Sequence, residues 1–261
     1  RAATGSGALN TLPISVAPYA VKFEKRLPVK IMFLALFFAT IQYMFTLGTR
    51  TQFAILLLIV ILAALQFAYS EQGIAGVLKC IGIMAVISLI AFLLYHFNVL
   101  SIREYILNTN LAARYERRAS LENADSFRFQ SFWIGLRELI QYPMGGRASQ
   151  IYRHNMWLDV GRVSGIIPFC LLLVYSIKNF ANVTVIWKNT KILPSLRYLL
   201  LFLYIGAYVN CFVEPIWEGA LNFFLALCVV DGMVSAMMRR LENDPTPEES
   251  VSDTSNLHTD L

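Results

Sequence analysis

Six apolar runs of near membrane-spanning length leave this chain very few folds. They cover approximately Ile31 to Leu47, Phe53 to Tyr69, Val77 to Phe97, Met156 to Ile177, Arg197 to Val213 and Gly219 to Met238. A helix needs about 20 apolar residues to cross the hydrocarbon core. Lipid offers the backbone no hydrogen-bond partner, so such runs are expected as helices. Composition agrees, with 57% hydrophobic and 15% charged residues, against roughly 25% charged in soluble domains. The expected fold is an all-α integral membrane protein. It has about six transmembrane helices, with a long external, partly helical segment between the third and fourth.

A weaker run, Ala8 to Val21, holds Pro13 and Pro18 and could close a preceding span. The chain starts at Arg1 with no signal peptide ahead of the apolar runs. It is read as the C-terminal half of a longer protein whose N-terminal helices are missing. Residues 1–238 form the membrane domain, including the external loop 98–155. Residues 239–261 hold six acidic residues and two arginines and read as a disordered cytoplasmic tail. The cysteines Cys80, Cys170, Cys211 and Cys228 lie in apolar runs without ligand spacing and are read as apolar filler.

The lysines set the orientation. With six crossings, Lys22, Lys25, Lys30, Lys79, Lys178, Lys188 and Lys191 fall on one side with Arg239 and Arg240. The positive-inside rule makes that side cytoplasmic. The segment Asn98 to Asn155 is then external. It carries eight arginines (Arg103, Arg114, Arg117, Arg118, Arg128, Arg137, Arg147 and Arg153) and no lysine. A guanidinium stays charged and grips phosphate or carboxylate with a planar fork. An anion at the outer surface is one reading. Attraction to lipid headgroups and pairing with Glu104, Glu116, Glu122, Asp125 and Glu138 is the other. Ser126 is expected to cap a helix over Phe127 to Tyr142, ended by Pro143 and Gly145-Gly146. Its stripe of Phe132, Trp133, Leu136, Leu139 and Ile140 suits a membrane surface or a neighbouring helix.

Other residues carry candidate chemistry. His154 is the only histidine of the external segment, beside Arg153 and near Arg147 and Asp159. It is either structural or a base for a hydroxyl during group transfer. Arg50 sits in the tight turn Gly48-Thr49-Arg50-Thr51-Gln52, as a headgroup anchor or as an arginine held at the surface by two helices. Glu214 and Glu218 bracket a second external turn. They could bind sugar hydroxyls, pair with arginines or act as an alternative base. Trp217 reads as an aromatic-belt residue, and Gly161 with Gly165 as a helix-packing G-x-x-x-G. Asp231 is placed toward the cytoplasmic end of the last span, paired or hydrated. No Walker A, dinucleotide or H-E-x-x-H pattern is present.

The order of these features resembles the C-terminal half of the bacterial O-antigen ligase and polymerase superfamily. The matching parts begin with Gly48-Thr49-Arg50-Thr51 and a long external segment holding Arg128, Trp133, Pro143 and Gly145-Gly146. His154-Asn155-Met156-Trp157-Leu158-Asp159 then runs into Gly161 and Gly165. The resemblance covers roughly Ile31 to Met238. This chain departs from the family around Arg50, where the usual serine and glycine are replaced, and at Met144-Gly145-Gly146-Arg147, where the family has Gly-x-Gly.

The resemblance implies that Arg50 and Arg128 engage a lipid-linked diphosphate and that His154 activates the acceptor hydroxyl. Arg147, Arg153, Glu214 and Glu218 are substrate-binding candidates on local chemistry alone. The implied activity is a metal-independent membrane glycosyltransferase of O-antigen or capsule assembly. It would move a glycan from undecaprenyl diphosphate to an acceptor hydroxyl at the outer face of the bacterial cytoplasmic membrane. Polymerase is preferred, and ligase with a lipid A core or another acceptor is the alternative. From other classes, a lipid-linked oligosaccharide flippase and a non-enzymatic membrane partner remain. The implied partners are the undecaprenyl-diphosphate-linked glycan, membrane lipids and other polysaccharide assembly proteins. No cofactor and no nucleic acid is expected.

Overall fold

The computed structural model describes residues 7–119, 124–148 and 153–243, without the side chains of 114, 115, 117–119 and 124–128. Every regular element among them is helical. In chain order they are α1 (Thr11–Phe23), α2 (Leu27–Leu47), α3 (Arg50–His96), a 3-10 turn (Val99–Ser101), α4 (Ile102–Leu107), α5 (Asn110–Ala119) and α6 (Ala124–Gln141). There follow α7 (Met156–Ser164), α8 (Ile166–Lys188), α9 (Pro194–Val213), α10 (Ile216–Gly219) and α11 (Leu221–Asn243). Five helices, α2, α3, α8, α9 and α11, are long and apolar enough to cross a membrane. Large apolar side chains such as Phe38, Ile87, Leu171 and Val229 remain exposed on them. Outward-facing apolar surface on long helices is what a multi-pass membrane protein presents to lipid.

The 47 residues of α3 are interrupted at Gly73. A straight helix of that length would reach about 70 Å and carry the chain far from α2. Instead, Asn110 Nδ2 donates to the Thr46 carbonyl at 2.6 Å, and Tyr105 donates to Gln42 at 3.5 Å. The chain has therefore come back. It turns at Gly73, whose φ of 60° and ψ of −143° break the helix. The two halves approach so closely that a Cβ on Gly76 would lie 2.3 Å from the Ala68 carbonyl oxygen. The expected second and third runs are thus both present, joined by a glycine turn.

Several expected boundaries move. The fourth run, read as Met156 to Ile177, is split at Gly165 (φ 95°) into the short α7 and the long α8. Ser126 lies inside α6 and does not precede it, so it is no N-cap. The helix also begins earlier than expected, at Ala124. Residues 239–243, assigned to a disordered tail, continue α11, and 244–261 lie outside the described residues. Asp231 is the eleventh residue of the 23 in α11.

α1 packs into the centre. It buries Thr11, Ile14, Ser15, Ala17, Pro18 and Ala20 against α9 and α3. Gly206 lets α1 approach α9, because a Cβ there would sit 2.3 Å from Ser15 Oγ. Asn210 Nδ2 donates to Thr11 Oγ1 at 3.1 Å across the same contact. Beside it, Met156, Ala207, Cys211, Ile216 and Phe223 form a buried cluster that joins α7, α9, α10 and α11. This cluster is the apolar floor beneath the charged residues described next.

Candidate functional site at one end of the bundle

The helix connectivity brings three connections to one end of the bundle. These are the α2–α3 turn at Gly48-Thr49, the described parts of the segment from Phe97 to Gly165, and the α9–α11 connection at Glu214 to Ala220. Lys22, Lys25, Lys188 and Lys191 sit at or beyond helix ends on the opposite side, where Lys22 pairs with Glu71 next to the Gly73 turn. Arginine-rich and lysine-rich ends are therefore separated by the length of the helices.

The last turn of α9 is the anchor of the site. Glu214 ends that helix, its N–H donating to Asn210 O at 3.0 Å. Its buried carboxylate accepts a hydrogen bond from Thr51 Oγ1, in the first turn of α3. Two residues back, the Phe212 carbonyl accepts from Asn155 Nδ2 at 3.3 Å. Asn155 is the N-cap of α7, its Oδ1 accepting from Leu158 N–H at 3.0 Å. Arg50 is bonded in sequence to Thr51, and His154 to Asn155. The turn of α9 thus gathers Arg50, His154 and Glu214, which lie far apart along the chain.

A second shell of charge surrounds α7. Asp159, fully buried, accepts from the Arg153 N–H at 2.6 Å and from Arg162 Nε at 3.3 Å. Arg162 is 3% exposed, which places it inside the protein despite its charge. Its Nη1 donates to the Arg147 carbonyl at 2.6 Å, and its Nη2 to the Glu218 carboxylate. The Arg153 guanidinium donates to Glu138 of α6 at 2.6 Å. Arg147 lies 4.0 Å from the other oxygen of Glu138 and 4.1 Å from the Tyr142 ring centroid. Buried charges survive when they are paired, and each charged group of this network has an opposite charge beside it. Asp159 Oδ2 and Arg153 Nε, however, have no hydrogen-bond partner among the described residues.

The network was only partly expected. Arg50, Arg147, Arg153, His154, Glu214 and Glu218 all lie at the gathered end. Arg147 and Arg153 are held by Glu138, Glu218 by Arg162 and Glu214 by Thr51. Arg128 falls in α6, but its side chain lies outside the described residues. Arg162 and Asp159 were not selected as site residues. The signal that could have found them is their i,i+3 spacing in a run otherwise free of charge.

The glycines shape the loop over α7. Residues 143–147 pair along its C-terminal end through backbone bonds. Gly146 N–H donates to Val163 O at 3.0 Å, Arg147 N–H to Arg162 O at 3.1 Å and Ile166 N–H to Pro143 O at 2.8 Å. A Cβ on Gly145 would stand 2.5 Å from Gly165 N, and the residue has φ 74°. Gly145→Ala is expected to strain this pairing and cost about 1–3 kcal/mol. A thermal melt in detergent checks it; an unchanged midpoint would mean the loop has room to move. Gly161 packs against Leu139, as a helix-packing glycine should, whereas Gly165 serves the close approach of the loop.

Burial pushes the Asp159 carboxyl up to about 6 from 3.8. The Arg153 N–H and the Arg162 charge pull the other way, and Glu218 adds to the rise. The folded state then holds the proton more tightly than the unfolded chain. The stabilisation this gives is full below about pH 4 and is lost as pH rises toward 6. The loss is on the order of 3 kcal/mol. Asp159→Asn should flatten this slope in a pH series of melting midpoints. A slope equal to that of wild type would assign the pH dependence to another group.

No family model matches the chain, and no curated protein or solved structure matches it either.

Proposed function

We propose that this chain belongs to a membrane glycosyltransferase that takes a glycan from a lipid diphosphate. The observation carrying the proposal is the joint anchoring of Arg50 and His154 through their neighbours Thr51 and Asn155, on one turn of α9. A cation for a diphosphate and a base for a hydroxyl belong side by side in such a reaction.

In this reading, Arg50 and Arg128 neutralise charge growing on the departing diphosphate, as preorganised donors do in phosphoryl and acyl transfer. His154 takes the proton of the acceptor hydroxyl. That oxygen attacks the anomeric carbon from the face opposite the diphosphate and inverts it. The diphosphate leaves with the bonding electron pair, still attached to its lipid. Arg147 and Arg153, shared by Glu138, hold the loop on which His154 sits. Glu214 and Glu218 hold Thr51 and Arg162 in place. A groove of 360 Å³, lined by Trp157, Leu173, Ile177, Phe180 and Tyr208, starts at α7 and runs between α8 and α9. Its apolar walls suit an isoprenyl chain.

The arginine-rich end is the outer one and the lysine-rich end cytoplasmic. Externally added thiol reagent should label a cysteine placed at Arg137 but not one placed at Asn189. The reverse pattern would move the site to the cytoplasmic side and exclude an external donor.

Polymerase, with a second lipid-linked glycan as acceptor, is the preferred form, and ligase is the alternative. The test is reconstitution of the full-length protein with purified undecaprenyl-diphosphate-linked repeat units. Longer lipid-linked chains are expected. A product formed only when a lipid A core is added would select the ligase. No new glycosidic bond with either acceptor would overturn the proposal.

A further inference from the structure

Asp231 is an ionisable side chain that the proposed transfer does not use. It is the eleventh residue of the 23 in α11, about 15 Å along the helix from Leu221, and 2% exposed. Tyr204, midway along α9 and fully buried, donates its hydroxyl hydrogen to Asp231 Oδ1. Oδ2 is also buried and has no hydrogen-bond partner among the described residues. Tyr175 of α8 also interacts with the carboxylate. Four residues further along α8, and so on the same helical face, Asn179 is 3% exposed, and its Nδ2 likewise has no partner.

The titratable groups near Asp231 are Tyr175 from α8, Tyr204, Tyr208 and Cys211 from α9, and Cys228 from α11. None can supply a positive charge. At the other end of the molecule, by contrast, Asp159 meets Arg162 and Glu138 meets Arg153. An ionised carboxylate alone in a low-dielectric interior is unstable by a large margin, and charged groups at membrane depth are paired or face a pathway. Two neutral phenols, Tyr204 and Tyr175, do not neutralise a unit charge. A positive charge must therefore come from solution.

We propose that Asp231 anchors a binding site for one monovalent cation, a proton or a sodium ion, in the middle of the bundle between α8, α9 and α11. The inference rests on the membrane reading of these helices and is independent of the transferase reading. A divalent ion is disfavoured by the donor set, which offers a single carboxylate. The helical backbone carbonyls around it are already committed to their own turns. The proton is the expected occupant, because sodium would need several more oxygens than the carboxylate and two phenols provide. Joined to Tyr204, the site ties α11 to α9, whose last turn anchors Arg50 and His154. Loading it would tighten the helices beneath them.

The test compares the full chain with Asp231→Asn and Tyr204→Phe in lipid nanodiscs. Asparagine keeps the shape of the acid but carries no charge, so it should fold and need no cation. The infrared spectrum of wild type minus Asp231→Asn at neutral pH is expected to show the carbonyl stretch of a protonated acid. Tyr204→Phe should shift that band. If sodium is the occupant, the band is instead that of a carboxylate. It then moves when sodium chloride replaces choline chloride, and the wild-type melting midpoint rises in sodium while that of Asp231→Asn does not. A carboxylate band indifferent to sodium, with equal sodium and pH responses in both proteins, would overturn the site. If Asp231→Asn fails to fold, the band in wild type and its displacement by Tyr204→Phe still decide the matter.

Discussion

His154→Ala is expected to lower glycan transfer by about 10²- to 10⁴-fold, the usual contribution of general-base catalysis, while the lipid-linked donor still binds. His154 occupies the turn between Arg153, whose N–H is bonded to buried Asp159, and Asn155, which caps α7. Its backbone is thus fixed on both sides by residues that do not depend on the imidazole. Removing the ring should leave the turn in place, and the variant should melt close to wild type. Glu214→Gln and Glu218→Gln are the comparisons, since either acid could be the base instead. Glu214 is buried and already accepts from Thr51, so its glutamine variant should perturb the α3 turn more than proton transfer. Near-normal transfer by His154→Ala, with one glutamine variant inactive, would make the histidine structural and the acid the base. Donor binding is measured separately, by retention of labelled lipid diphosphate, because a lost donor site would mimic a lost base.

The apolar runs were legible because length and hydropathy together leave a helix few alternatives. Where the reading slipped, a local rule competed with hydropathy. Met156, Trp157, Leu158, Val160 and Val163 carry enough apolar weight to merge α7 with α8 in any window average. Gly165 then looked like an interior packing residue. Its φ of 95° and the Pro143 carbonyl lying against it separate the two helices, and that contact comes from 22 residues earlier in the chain. The same merging placed Arg162 inside an apolar run, where it drew no notice. The gathering of Arg50 and His154 could not be read at all. It depends on hydrogen bonds to the last turn of α9 from two distant segments, and no sequence spacing records them. Asp231 stood out as an acid in an apolar run, but its hydrogen bond from Tyr204 joins two segments that no spacing records.

Arg162→Met should cost about 3 kcal/mol of stability at neutral pH, the range for removing one partner of a buried ion pair. Methionine roughly fills the space of the stem, so packing loss is small and the effect is electrostatic. Three groups lose a donor at once: the Arg147 carbonyl, the Glu218 carboxylate and Asp159 Oδ1, which keeps only the neutral Arg153 N–H. Glu218 reaches solvent and can rehydrate, since its side chain is 26% exposed. Asp159 cannot, being fully buried, so it must stay uncompensated or take up a proton. Taking up the proton becomes easier as the pH falls toward and below the value of about 6 that burial already gives Asp159. The destabilisation by Arg162→Met should therefore shrink at pH 5. Adding Asp159→Asn should recover part of it at pH 7, a coupling that a double-mutant cycle measures directly. Arg162→Lys should recover less than the fork geometry gives, because a single ammonium cannot span the three acceptors. Equal stability of Arg162→Met and wild type at neutral pH would show that the network merely coats the outside of α7. The loop carrying Arg147 and the turn carrying His154 would then need another support.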